Sequence, residues 1–164
     1  MWTIDQLNSS EVNQFSTILG DIFEHSAWIA RKAADARPFS SKKDLQNHMI
    51  AIVQEATFDQ QIQLIKSHPN LGNRLEMSAS STEEQEQAGL QQLNEEEYGQ
   101  FMETNEAYMK KFGFPFIMAV RGKNKGEIYR AMMERVKHDR DKEFQTALQE
   151  IYKIAQFRLD EIIH

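Results

Sequence analysis

The chain carries five histidines, His25, His48, His68, His138 and His164, and one of them sits where backbone geometry and proton chemistry meet. His68 stands directly before Pro69 in the run Lys66-Ser67-His68-Pro69-Asn70-Leu71-Gly72. Proline fixes its own φ and pushes the preceding residue out of the α region. His68 is therefore expected at or just past a helix end, on backbone held in a defined shape. An imidazole has an ordinary pKa of about 6.5 and can give or take a proton near neutral pH. The competing reading is an incidental histidine on a surface turn. The spacing of the five histidines matches no metal-ligand pattern, so no metal site is expected.

Three further groups could do chemistry. In Ser81-Thr82-Glu83-Glu84-Gln85, Ser81 and Glu84 have the spacing of a capping box, serine at the N-cap and glutamate three residues on. The free N–H groups and positive dipole end of a helix start could also receive a polar ligand, with Glu84 and Gln85 in the first turn. Phe112-Gly113-Phe114-Pro115-Phe116-Ile117 reads either as core packing after a helix stop or as an apolar wall whose backbone faces a ligand. Arg158 falls on or beside the stripe formed by Phe144, Leu148, Ile151, Ala155, Leu159 and Ile162. A guanidinium there must reach water, an internal carboxylate or the carboxylate of a ligand. By contrast, Glu95-Glu96-Glu97 reads as a solvated first turn that complements the helix dipole.

The elements that would position these groups read as helices. Ser9 or Ser10 can cap a helix through Val12, Phe15, Ile18 and Leu19. "SAWIARKAADARP" is a second helix that stops near Pro38. A serine caps "SSKKDLQNHMIAIVQEA", whose Leu45, Met49, Ile52 and Val53 share one face. Thr57 can cap "FDQQIQLIKS", which ends at His68-Pro69; Asn73 to Ser80 reads as a loop, and Ser81 opens the next helix. Asn94 can cap "EEEYGQFMETNEAYMKKF", with Gly113 as its left-handed terminator. "FPFIMAVRG" starts extended or irregular, and two more helices complete the chain. Period-two alternation is hard to find. The expected fold is a compact all-α single-domain bundle of about seven to nine helices over residues 1–164.

Composition narrows the function. With 164 residues, 40% apolar and 27% charged, the chain is globular in type. It has no cysteine, so disulfides and thiolate chemistry are out. A formal charge of −6 argues against a nucleic-acid partner. The N-terminus lacks a basic stretch followed by an apolar one, and no run of about 18 apolar residues exists, so no membrane segment is expected and the cytoplasm is the expected compartment. There is no dinucleotide fingerprint, P-loop, HExxH or EF-hand loop, and no nucleophile-elbow motif.

Taken in order, "HPNLG", "SSTEEQEQAGL", "NEAYMKKFGFPFIMAVRG" and "EFQTALQEIYKIAQFRLDEI" closely resemble the OHCU decarboxylase family, enzymes of urate degradation that act on 2-oxo-4-hydroxy-4-carboxy-5-ureidoimidazoline. The resemblance covers essentially the whole chain. Its specific part is the pair SxxEQxxAGL and KFGFPF, at this spacing after HPxLG. It implies an all-α fold, no metal or organic cofactor, a homodimer, functional association with a urate oxidase, and loss of CO2 from OHCU to give (S)-allantoin. It also implies His68 as catalytic residue, and Pro69, Ser81, Glu84, Gln85, Phe116, Ile117, Met118, Ala119, Val120 and Arg158 as substrate-binding residues; in a proton-transfer mechanism Glu84 is also the expected catalytic partner of His68. The alternatives are an isomerase or hydrolase of a related ureido compound with the same His/Glu pair, and a helical interaction module without catalysis.

Overall fold

In the computed structural model the described residues are 1–70 and 79–164, apart from the side chains of Ala79, Ser80, Thr82 and Gln91. Among them are nine α-helices: α1 (Ile4–Ser9), α2 (Val12–Leu19), α3 (Ala27–Ala33), α4 (Lys42–Glu55), α5 (Phe58–Lys66), α6 (Ala79–Gln87), α7 (Glu95–Phe112), α8 (Lys125–Arg135) and α9 (Arg140–Ile162). No strand occurs among the described residues; one isolated bridge pairs Trp2 with Ile163. The expected fold class and helix count hold. Of the expected loop from Asn73 to Ser80, residues 73–78 lie outside the described residues, and so do Leu71 and Gly72; Ala79 and Ser80 are already helical.

The chain divides into two compact units. The first comprises residues 1–67 and 152–164, and the second residues 68–151. In the first unit α2 packs on α3 and α3 on α4, around buried Phe15, Leu19, Ile29, Leu45 and Met49. The α1 helix has a complete capping box: Thr3 accepts from the Gln6 N–H and Gln6 reaches back to the Thr3 N–H. Its far end is closed by Arg37, whose Nη1 donates to the carbonyls of Leu7 and Ser10 at 3.2 and 2.5 Å. A cation is favoured there, because the last carbonyls of a helix lack intrahelical partners and carry the negative dipole end. This changes the expected start of α2. Ser9 and Ser10 do not cap it; their hydroxyls donate back to the Asp5 and Leu7 carbonyls of α1, and Glu11 takes the N-cap position. The expected α2 stripe is buried at Phe15 and Leu19, while Val12 is exposed.

In the second unit Asn94 caps α7 through a reciprocal bond pair with Glu97. Buried Phe101, Asn105, Tyr108 and Phe112 form one helical stripe. Gly113 then adopts φ 76°, ψ 13°, the left-handed conformation that ends a helix. Pro115 keeps Phe114 out of the α region, and residues 115–120 run on without regular structure. The rings of Phe112, Phe114 and Phe116 gather around Tyr108 with centroids 4.6, 6.0 and 5.3 Å away. A Cβ added at Gly113 meets no atom within 4 Å, so Gly113→Ala isolates the backbone cost of about 1–2 kcal/mol. Urea unfolding measures it; an alanine variant as stable as the parent contradicts this account.

Candidate active site

His68 follows α5 by two residues, as its place before Pro69 requires. The chain arrives there under tight control. Thr57 and Gln60 form the capping box of α5, and Ser67, its C-cap, donates its hydroxyl to the carbonyls of Leu64 and Glu24 at 2.6 and 2.9 Å. His68 itself is only 7% exposed. The surface-turn reading is thus set aside: this imidazole is buried, and Pro69 beside it is half-buried.

Ser81, Glu84 and Gln85 lie on α6, at positions i, i+3 and i+4, which share one face. The capping-box expectation is corrected here. The helix starts at Ala79, two residues before Ser81, so Ser81 is inside the first turn and not at the N-cap. Its burial pattern is unusual. Ser81 and Gln85 are 5% and 4% exposed and Glu84 is half-buried, whereas Glu83, Glu86 and Gln87 are exposed. A surface helix ordinarily turns an apolar stripe inward; α6 turns serine and glutamine inward. Buried polar groups need partners, and Ser81, Glu84 and Gln85 are each engaged in an interaction; a polar face of this kind can also receive a small polar ligand.

The segment Phe116, Ile117, Met118, Ala119 and Val120 is buried throughout, except for half-buried Met118. Two buried side chains hold its backbone. Arg135 donates from Nη1 to the Ile117 carbonyl at 2.6 Å, and Glu150 accepts from the Ala119 N–H at 3.2 Å. Arg135 is itself fixed by Glu143: its Nε donates to Glu143 Oε1 at 2.7 Å, and its guanidinium stands 4.3 Å above the Phe116 ring. The same oxygen accepts from the Tyr108 hydroxyl at 2.6 Å, and the other carboxylate oxygen lies 3.0 Å from His138 Nδ1. Burial, followed by the bond to Glu143, pushes the Tyr108 hydroxyl far above the ordinary phenol range, so it stays a donor.

His68, Pro69, Ser81, Glu84, Gln85 and residues 116–120 all belong to the second unit. Arg158 belongs to the first. It is 3% exposed, its Nη1 donates to the Asp21 carbonyl at 3.0 Å, and it lies 3.8 Å from Oε1 of Glu24. Of the destinations open to this guanidinium, an internal carboxylate is therefore occupied. Glu24 is fully buried and was not singled out from the sequence. It sits in a turn between helices, where no periodicity marks a residue as internal. Arg135, Glu143 and Glu150 were also missed. For the two glutamates a signal existed: seven residues apart, they flank the α9 apolar stripe just as Arg158 does. Among the described residues, no group of three or more His, Asp or Glu side chains could hold a metal ion, and no helix is long and apolar enough to cross a membrane.

Comparison with known proteins gives concordant matches. The model of a family described as OHCU decarboxylase matches residues 8–160. The chain is similar to the uric acid degradation bifunctional protein PucL of Bacillus subtilis, with 49% identity over 99% of this chain and 33% of that one. It is also similar to the 2-oxo-4-hydroxy-4-carboxy-5-ureidoimidazoline decarboxylase of Halalkalicoccus jeotgali, with 44% identity over 98% of this chain and 91% of that one. Among solved structures, that of an (S)-allantoin synthase superposes with TM-score 0.85 at 32% identity, covering all of this chain and 54% of the other. The chain thus spans about a third of the length of the bifunctional relatives it matches.

Proposed function

The chain belongs to the OHCU decarboxylase family, and from that premise we propose that it converts 2-oxo-4-hydroxy-4-carboxy-5-ureidoimidazoline to (S)-allantoin and CO2, with residues 1–164 acting as one domain. The substrate is expected to carry a C=N bond beside the carbon that loses CO2. The carbon–carboxylate bond breaks and its electron pair becomes a ring C=C bond, while the former C=N π pair moves to nitrogen, which takes a proton. The resulting enol then loses its hydroxyl proton and gains one on the neighbouring carbon. Delivery of that proton to one face sets a single enantiomer.

His68 is the general acid and base of this sequence, and Glu84 orients the imidazole or holds the substrate hydroxyl. Ser81 and Gln85 bind the polar edges of the substrate, and Pro69 lines the pocket. Residues 116–120 form a water-poor wall, which favours release of neutral CO2 from a charged carboxylate. Arg158 orients an anionic part of the substrate, with Glu24 fixing its guanidinium. The observation that carries the reading is the burial of His68, Ser81 and Gln85, three polar side chains on the motifs that match the family, each less than a tenth exposed. The reading includes a homodimer working in the cytoplasm beside a urate oxidase; the similarity to the Bacillus subtilis relative, a bifunctional protein of uric acid degradation, supports the last part.

Urate oxidised by a urate oxidase, with and without this protein, tests the assignment. Circular dichroism at an allantoin-sensitive wavelength should show faster appearance of one enantiomer when the protein is present. Superimposable traces with and without it overturn the proposal.

A further inference from the structure

The polar groups behind residues 116–120 form a pattern that the proposed reaction does not yet use. The backbone around Met118 consists of two peptide planes. One holds the Ile117 carbonyl and the Met118 N–H; the other holds the Met118 carbonyl and the Ala119 N–H. Each plane has one polar atom taken by a buried side chain, the Ile117 carbonyl by Arg135 at 2.6 Å and the Ala119 N–H by Glu150 at 3.2 Å. Both side chains are less than a tenth exposed. Both come from helices, Arg135 from the last turn of α8 and Glu150 from the middle of α9. Arg135 is further restrained by Glu143, which is fully buried and also bonded to Tyr108.

Both peptides are trans, and in a trans peptide the N–H and C=O point in opposite directions. Fixing the Ile117 carbonyl therefore fixes the Met118 N–H on the opposite side of its plane, and fixing the Ala119 N–H does the same for the Met118 carbonyl. Among the described residues no backbone group hydrogen-bonds either of these Met118 atoms. A segment without helix or strand ladder would otherwise be free to rotate these planes, because each has two soft dihedrals on either side.

We propose that Arg135 and Glu150 are positioning residues for the site: they clamp the two peptide planes around Met118 from behind, so that a backbone donor and a backbone acceptor are presented side by side to the amide and ureido groups of the substrate. This rests on the substrate reading above. Neither side chain touches substrate. Their effect passes through the backbone, and a shift of about 1 Å in a binding group can cost on the order of 10²-fold in rate.

The test compares Glu150→Ala, which removes the acceptor, with Glu150→Gln, which keeps an oxygen for the Ala119 N–H. Glu150→Ala should lower kcat/KM by about 10- to 100-fold, through KM as well as kcat, and Glu150→Gln should recover most of that loss. In parallel, amide hydrogen exchange at Ala119 should be slow in the parent, fast in Glu150→Ala and slow again in Glu150→Gln. An alanine variant within twofold of the parent, or a loss that glutamine does not recover, overturns the proposal. Should the alanine variant not fold, the parent decides it: an Ala119 amide that exchanges as fast as an exposed one excludes the clamp. A parent without decarboxylase activity but with a protected Ala119 amide instead overturns the substrate reading and leaves the clamp standing.

Discussion

Replacing His68 by asparagine lowers kcat by about 10²- to 10⁴-fold, the usual contribution of a positioned general acid or base. In barrier terms this is roughly 3–5 kcal/mol. Asparagine is chosen because position 68 is buried: it keeps a polar side chain that can hydrogen-bond, but it cannot carry a proton to carbon near neutral pH. KM should change little, since binding falls to other groups in the proposed mechanism. The backbone before Pro69 is set by proline sterics and by the Ser67 hydroxyl, which bonds the Leu64 and Glu24 carbonyls. Neither depends on the imidazole, so the melting temperature should stay within a few degrees of the parent. The stereochemical readout is sharper still. If His68 delivers the proton to one face, allantoin formed with the variant should approach the racemic product of spontaneous decay. A variant that makes optically pure allantoin at near the parent rate removes His68 from the mechanism.

What could be read from the sequence was what short-range physics decides. The caps at Ser41, Thr57 and Asn94 and the left-handed stop at Gly113 were all legible, because a cap is a contact three residues long and a positive φ selects glycine. The helix α1 does not stand out in the sequence, although Thr3 and Gln6 spell its capping box; it has six residues and buries only Leu7, so no periodic stripe announces it. Ser9 and Ser10 both have the type of a cap for α2, but a hydroxyl has several carbonyls within reach, and those of Asp5 and Leu7 win. The helix α6 starts two residues before the expected Ser81 for a related reason: Ser78, Ser80 and Ser81 are all of capping type, and composition does not rank them. At the site, His68 and the polar face of α6 were legible as motifs. The side chains that hold residues 116–120 were not. Tyr108 and Glu143 are 35 residues apart, Ile117 and Arg135 are 18 apart, and Ala119 and Glu150 are 31 apart, so these pairings exist only once the helices are packed.

Replacing Glu143 by alanine destabilises the protein by about 3–5 kcal/mol, the cost of removing one partner of a buried ion pair. The carboxylate is fully buried and serves three neighbours: the Tyr108 hydroxyl, the Arg135 guanidinium and His138 Nδ1. Without it Arg135, 8% exposed, keeps its charge in an apolar setting, with the Ile117 carbonyl and the Phe116 ring as neighbours. The uncompensated charge dominates the cost, and the unpaired Tyr108 hydroxyl adds to it. Tyr108→Phe is the control. It removes one donor and leaves the ion pair, so it should cost only about 1.5–3 kcal/mol, the range for a hydrogen bond to a charged group. The double variant Arg135→Met with Glu143→Leu removes both charges and fills their space. It should be more stable than Glu143→Ala alone, because a well-packed apolar pair often matches a buried ion pair. Calorimetry gives the ranking, with the alanine variant melting roughly 6–20 °C below the parent. An alanine variant within about 1 kcal/mol of the parent would mean that the Arg135 guanidinium finds water or another carboxylate. The double variant carries a second consequence. Stable but without the Arg135 bond to the Ile117 carbonyl, it should fold well and turn over poorly, which separates what this buried network does for the fold from what it does for residues 116–120.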